Sequence, residues 1–380
     1  MNIEHGTFVE KYDLLGCIQC GRCTGGCPVT ARTDLNVRLF VYETVDDDRL
    51  EELSLKHEIW DCTTCNNCAL RCPKGLDPFE VLLGLRSMQV EEGNIEPTAI
   101  TALESVFNNG NPWGKPRALR CKWMEDIEGV EKVRILEEGE KADVLIHTCC
   151  TACYDPRIMP LAKNLVRVLE KAGVDYGFVG EAESDCGSEV RRLGEEGLFE
   201  MLDEDNTELF DAYDVNRIVC LSPHCYSTFK NECENIKQPV LHYTELVAEI
   251  IKDGKLELTG EVGAKVVYHD PCYLGKKNKV FDEPRYILGQ IPGIELMEFN
   301  RSREISLCCE GGGGKMWVES ESKEQRLSET RILDAREMGA QIVAVACPFC
   351  LLTLEDALKV KALDEEMRVA DILELLGESI

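Results

Sequence analysis

Little in this chain of 380 residues invites a membrane, a leader or a nucleic acid. No stretch approaches ~18 consecutive apolar residues, so no membrane-spanning helix is expected. The opening residues, MNIEHGTFVEKYDLLG, hold neither a basic cluster nor an apolar segment, so no signal peptide is expected and the cytoplasm is the expected compartment. Bases are scarce, 42 Lys and Arg against 70 Asp and Glu, and the net charge is −28. Phosphate backbones are gripped by clustered cations, so no nucleic-acid partner is expected, and the acidity reads as a solvated surface. There is no Rossmann glycine fingerprint and no flavin signal. The glycine run Gly311 to Gly314 is followed by Lys315 and then Met316, where a phosphate loop requires Ser or Thr.

What the chain has in excess is cysteine, 21 residues. Disulfides are rare in reducing cytosol, so such a count there points to metal or redox chemistry. Cys17, Cys20, Cys23 and Cys27 lie in CIQCGRCTGGCP, and Cys62, Cys65, Cys68 and Cys72 lie in CTTCNNCALRCP. Both read C-x2-C-x2-C-x3-C-P, the run in which three thiolates wrap one 4Fe-4S cube and the fourth ligates its neighbour. The expected sets are therefore Cys17, Cys20, Cys23 and Cys72 for one cubane, and Cys62, Cys65, Cys68 and Cys27 for the other. Structural zinc uses separated pairs and fits two runs of four poorly. Between the runs, DLNVRLFVYETVDDDRLEELSLKHEIW has helical periodicity without Pro or Gly, which predicts a helical two-cluster domain over residues 1–100. The Pro, Gly and Asn of GNIEPTAITALESVFNNGNPWGKP signal a linker, drawn over 101–141.

The remainder repeats itself. ADVLIHTCC ending at Cys150 resembles AKVVYHDPC ending at Cys272, and RIVCLSPHC ending at Cys225 resembles IVAVACPFC ending at Cys350. Offsets of 122, 123 and 125 residues separate Cys150 from Cys272, Cys186 from Cys309 and Cys225 from Cys350, which indicates internal duplication over 142–260 and 261–380. Apolar runs followed by one-sided helices, such as IMPLAKNLVRVLEKAG and SKEQRLSETRILDAREMG, predict βαβ units and parallel sheet. The fold class expected is α+β overall: a helical two-cluster domain, then a duplicated α/β cysteine-rich domain with two pseudo-symmetric parallel-sheet halves. Cysteines at strand ends would then lie outside the carboxyl edge, where open α/β sheets place ligands.

In the second half Cys272, the pair Cys308–Cys309 and the motif Cys347-x2-Cys350 form a pattern that resembles the cysteine-rich CCG domain of heterodisulfide reductases. The whole layout resembles their D subunit, or a fusion of their C and B subunits. The resemblance implies that Cys272, Cys308, Cys309, Cys347 and Cys350 hold a noncubane 4Fe-4S cluster and form the catalytic site. It also implies two cubanes in the first domain and reduction of a disulfide-type substrate. With no nucleotide or flavin site, electrons must come from a partner, either a flavoprotein resembling the A subunit or a membrane cytochrome b. The latter would make the chain peripheral at the inner membrane face. A second reading is an electron relay within such a complex, flavin-bifurcating in one form, feeding another reductase such as benzoyl-CoA reductase.

The first half departs from the pattern, with Asp185 and Ser222 where cysteines are expected. A further cubane on Cys150, Cys186, Cys225 and one of the neighbours Cys153, Cys149 and Cys220 is one expectation; a module that keeps its fold without a cluster is the other. Cys121 and Cys233 fall outside every pattern and read as inert thiols. His147 and His269 hold matching positions three residues before a strand-end cysteine, either as proton sources or as loop-fixing hydrogen-bonders. Lys276 and Lys277 could neutralise an anionic substrate or the charge of a cluster.

Overall fold

The computed structural model describes residues 5–46, 49–319, 322 and 324–380. Among these, the two halves after the first domain each form a four-stranded, wholly parallel sheet of the same order. Strands β1 (Lys141–His147), β2 (Tyr176–Gly177), β3 (Asp214–Cys220) and β4 (Val240–His242) are arranged β2-β1-β3-β4. Strands β5 (Ala264–Tyr268), β6 (Ile294–Met297), β7 (Ile342–Val345) and β8 (Arg368–Asp371) repeat it as β6-β5-β7-β8. Every position of β7 is buried, as is Val144 to Ile146 of β1. Such unbroken apolar strands belong to parallel sheets covered on both faces. The helices foreseen after β1 and before β7 span Met159–Lys171 and Leu327–Glu337.

The two halves share one apolar core. Helix Met159–Lys171 of the first packs on helix Ile372–Ser379 of the second, and Arg157 reaches across to Glu355 and Glu374. The first domain is helical, with a core of its own that takes in Cys272, Tyr273, Leu307 and Cys308 of the second half. The stretch read as a linker contains a helix, Pro97–Asn109. Its Pro is the first helical residue and its Gly110 closes the far end at φ 66°, so both residues punctuate a helix rather than break one.

Arg86 joins the three parts. Its fully buried guanidinium donates to the carbonyls of Ile59 and Cys62 in the first domain, Arg192 in the first half and Gly313 in the second. Gly313, at φ 73°, lies where a Cβ would sit 2.8 Å from the Cys62 carbonyl oxygen. The glycine run thus threads between domains, where no side chain fits.

Candidate iron–sulfur centres

The two ferredoxin-type runs fold alike. In each, the residue before the second cysteine (Gln19, Thr64) and the one after it (Gly21, Asn66) have positive φ, between 50° and 75°. A short helix then carries the third cysteine, over Arg22–Gly26 and Asn67–Leu70. Left-handed residues are costly outside Gly and persist where the surroundings demand them; here they curl backbone N–H groups inward, and Thr64 N donates to Cys62 Sγ at 3.4 Å. Cys62, Cys65, Cys68 and Cys27 are close enough to perturb one another electrostatically. Burial is the main reason that Cys62 is pushed up to about 12 as a free thiol. Cys17, Cys20, Cys23 and Cys72 line one common cavity, with Leu76 N donating to Cys72 Sγ at 3.4 Å. These two quartets are the two expected sets, and thiols so grouped, with amide donors on their sulfurs, suit 4Fe-4S clusters.

The five second-half cysteines all lie at the carboxyl edge of their sheet. Cys272 follows β5, the pair 308–309 lies in the long connection between β6 and helix Leu327–Glu337, and Cys347 directly precedes helix Pro348–Val360, which carries Cys350 in its first turn. Their sulfurs form a chain of contacts. Cys308 is within hydrogen-bonding reach of Cys272 and Cys309, Cys309 lies 3.2 Å from Cys350, and Cys350 reaches Cys347. Glu310 N and Gly311 N donate to Cys308 and Cys309 at 3.3 and 3.4 Å. Cys308 also lies beside Cys65 of the first domain in one buried cluster, so the second-half group adjoins one ferredoxin-type quartet.

Two histidines meet this group. His269 accepts at Nδ1 from Arg331 Nε, 3.2 Å away, which leaves Nε2 to carry the proton, and its ring lies within 4.8 Å of the Cys309 and Cys350 sulfurs. His224, which no pattern in the sequence singles out, reaches Cys347 from the first half, with Nδ1 2.9 Å from Glu189 Oε1. Burial works against its charge, but Cys347 and Glu189 together raise it to about 10. His147, the counterpart of His269, is instead wedged between Phe210 and Phe229, and burial depresses it.

The first half assembles a different set. Of the expected Cys150, Cys153, Cys186 and Cys225, the structure brings Cys186 and Cys225 together and adds Cys149, within hydrogen-bonding reach of Cys225. Cys149 sits at φ 70°, ψ 151°, a region almost reserved for Gly, and stands where the second half has Pro271. Cys150 turns away to donate to Asp185 Oδ2 at 3.1 Å, beside Arg120, which pairs with Glu183. Cys153 lies near Cys149 and Arg120. Asp185 therefore occupies the place that Cys308 has opposite Cys272. Cys121 is half-buried and burial raises it; Cys233 is buried beside Asp203. Lys276 is buried and donates to Ser306 O at 2.6 Å, while Lys277 lies over Tyr273 and Phe79.

A cleft of about 590 Å³ opens on Cys309. Trp113, Met316, Val318 and Leu352 form an apolar wall, and the charged part of the lining is mixed, with Arg32 paired to Glu310 and Arg326 to Asp356.

Comparison with known proteins finds iron–sulfur domains over the same regions. Residues 13–76 match the family described as 4Fe-4S dicluster domain, and residues 131–230 and 266–355 match the one described as Cysteine-rich domain, CCG. The chain is 33% identical over its whole length to the probable iron-sulfur-binding oxidoreductase FadF of Bacillus subtilis and 30% identical to the EtfAB:quinone oxidoreductase of Syntrophomonas wolfei. It spans 61% and 60% of those two proteins. It is also 30% identical to the D subunit of the dihydromethanophenazine:CoB–CoM heterodisulfide reductase of Methanosarcina mazei, covering 98% of this chain and 96% of that one. A crystal structure of a hypothetical protein from Helicobacter pylori shares the fold, with a TM-score of 0.57 at 12% identity over 98% of this chain and 76% of that one. No helix among the described residues is long and apolar enough to cross a membrane. With a dicluster domain and two cysteine-rich domains in one chain, this protein belongs to the family of the heterodisulfide reductase D subunit, iron–sulfur oxidoreductases that carry 4Fe-4S clusters.

Proposed function

We propose that this chain is the iron–sulfur subunit of a heterodisulfide-reductase-like complex and delivers electrons to a disulfide-type substrate at its second cysteine-rich module. Cys17, Cys20, Cys23 and Cys72 would hold one cubane, Cys62, Cys65, Cys68 and Cys27 the other, and Cys272, Cys308, Cys309, Cys347 and Cys350 a noncubane cluster. The clusters supply one-electron transfer, and the chain's own residues arrange the rest. Backbone amides donate to Cys308 and Cys309, and the cleft over Cys309 offers an apolar wall to a thiol's carbon chain. A flavoprotein or a membrane cytochrome b would donate the electrons, the latter making the chain peripheral at the inner face. The observation that carries this reading is that Cys65 of the first domain and Cys308 of the five-cysteine group lie beside each other in one buried cluster, which supports electron passage between the two.

Iron and acid-labile sulfide analysis of anaerobically purified protein tests it. The expected result is ~12–16 iron per chain, as three or four 4Fe-4S clusters imply. Zinc as the main metal, or iron sufficient for only the two cubanes, would refute it.

Likeness over the whole chain to an EtfAB:quinone oxidoreductase favours a second reading, in which the chain relays electrons to another reductase and performs no substrate chemistry. Under it, a Cys308→Ser protein would still pass electrons onward at the normal rate.

A further inference from the structure

We propose that the exposed face around Cys20 is the docking surface for the electron donor, and that this donor is an acidic redox protein. The proposal rests on the reading of Cys17, Cys20, Cys23 and Cys72 as a cubane. That quartet lies at the surface: Cys20 is exposed, whereas Cys62, Cys65 and Cys68 of the other are buried. Around it the local charge runs against that of the chain, whose net charge is −28. From Leu14 to Val41 the bases are Arg22, Arg32 and Arg38, and Asp34 is the one acid; from Cys62 to Leu76 the bases are Arg71 and Lys74, with no acid. Arg22, Arg38 and Lys74 line the cavity of the quartet, where Asp77 is the one carboxylate. Arg71 lies against Gly26, where a Cβ would collide with it. Arg22, Arg71 and Lys74 are exposed, and their side chains form no ion pair or hydrogen bond among the described residues. Exposed arginines elsewhere, such as Arg134, Arg336 and Arg368, are paired with carboxylates.

Apolar surface accompanies these cations. Leu15, in the short helix Leu14–Gly16, is 78% exposed, and Ile18, which lines the same cavity, is 61% exposed. An apolar centre with a polar rim is the anatomy of a protein interface, and unpaired charges of one sign steer a partner of the other. An acidic protein is repelled by the chain's overall charge and attracted here, so the patch fixes where it lands. Membrane proteins carry an excess of Lys and Arg on their cytoplasmic loops, so a membrane cytochrome would be repelled by this rim. The cysteine quartet beside it favours a redox protein over a lipid surface, which has no electron to give. One electron would leave the donor's cofactor and enter the chain with no bond made or broken, so the surface has to supply only attraction and proximity.

The test is calorimetric binding of an acidic plant-type 2Fe-2S ferredoxin to the full anaerobic chain, both oxidised, so that reduction potentials play no part. It is run at ionic strengths of about 0.01 M and about 0.1 M, where charges are screened beyond ~30 Å and ~10 Å. Wild type should bind about tenfold more tightly at the lower ionic strength. The triple variant Arg22→Glu, Arg71→Glu, Lys74→Glu should bind about tenfold more weakly there and lose the salt dependence. Leu15→Ser with Ile18→Ser should weaken binding at both ionic strengths and keep the ratio between them. Lys171→Glu, Lys265→Glu and Lys359→Glu together, exposed bases at the amino edges of the two sheets, should match wild type. Should the Glu triple lose iron, the milder triple Arg22→Gln, Arg71→Gln, Lys74→Gln carries the test; loss of iron from both overturns the proposal, since these side chains would then hold the quartet's loop. No binding by wild type, tighter binding at the higher ionic strength, or equal weakening by the amino-edge triple overturns it too. So does flotation of wild type with phosphatidylcholine–phosphatidylglycerol vesicles that the Glu triple abolishes, which would give the face to a membrane. If Cys17→Ser leaves every cubane signal in place, the ligand set itself is wrong, a failure distinct from all of these.

Discussion

The two cysteine-rich modules have the same sheet and different edges. Strand order is identical, and the strand residues that fill the core, Val144 to Ile146 in one and Val266 to Tyr268 in the other, are equally buried. At the carboxyl edge they part. Where the second module sets Cys272 against Cys308, the first sets Cys150 against Asp185 in a polar nest with Arg120 and Glu183. Where His269 lies beside Cys309, His147 is packed between phenylalanines. Duplication has preserved what packs within the sheets and let what reacts at their edges diverge, as loops vary more readily than the elements they connect.

The sharpest way to break the comparison is to remove one thiol from each edge. Cys308→Ser should abolish the second-module signal and reduce disulfide-reducing activity to background, since hard oxygen replaces soft sulfur at a ligand. Cys186→Ser should leave both largely intact. Equal losses from the two variants would mean that the modules share the chemistry. The converse experiment rebuilds the missing ligands. An Asp185→Cys, Ser222→Cys double variant restores the five-cysteine pattern and should give a second signal of the noncubane type, with about twice the integrated intensity if both sites fill. Unchanged intensity would show that Cys149 and Arg120 have committed the first edge to another structure.

Arg86 tests what holds the modules to the first domain. Arg86→Met keeps the volume but leaves buried carbonyls of Ile59, Cys62, Arg192 and Gly313 without their donor. Breaking such a buried charged network costs about 3–5 kcal/mol, measurable as a lower denaturation midpoint. Arg336→Gln, at an ion pair half-exposed on both sides, should stay within about 0.5 kcal/mol of wild type. A comparable effect from both would show that Arg86 is not the joint.

Much of this was legible from spacing. The ferredoxin runs, the duplication and the strand-end cysteines are local patterns, and near-constant offsets from Cys150, Cys186 and Cys225 mark the second copy. What was not legible lies in contacts between residues far apart. Nothing near His224 in the sequence announces Cys347, and nothing near Arg86 announces Gly313. Cys149 is one of three neighbours that could complete the first-half set, and nothing in the sequence announces the positive φ with which it stands beside Cys225. The sequence excludes a phosphate loop at the glycine run but does not announce that Gly313 meets Cys62 of the first domain or that Gly312 meets His224. The linker reading missed helix Pro97–Asn109 because its Pro and Gly sit at the helix ends, where they signal a boundary and not an interruption.

The smallest effect concerns the residues that cap matching helices in the two modules. His242 begins helix Tyr243–Lys252 and Asp371 begins helix Ile372–Ser379, each in a capping box, and Tyr243 Oη donates to Asp371 Oδ1 at 2.7 Å across the interface. Burial pushes both toward neutrality, which moves them in opposite directions: Asp371 up to about 7, His242 down to about 3. Asp371 costs stability when ionised, and that cost is relieved as pH falls through about 7 toward its unfolded value near 3.9. His242 contributes stability above its unfolded value of about 6.5, and that contribution is lost as pH falls toward about 3. Between pH 7.5 and 5 each contribution changes by on the order of 2 kcal/mol with opposite sign, so in the wild type they nearly cancel. Asp371→Asn should therefore lose stability relative to wild type on acidification from pH 7.5 to 5, and His242→Gln should gain it. Anaerobic thermal unfolding at the two pH values reads both differences against wild type, so that any shared acid lability of the clusters drops out. Differences of the same sign in the two variants would show that one of these caps is not buried in its neutral form.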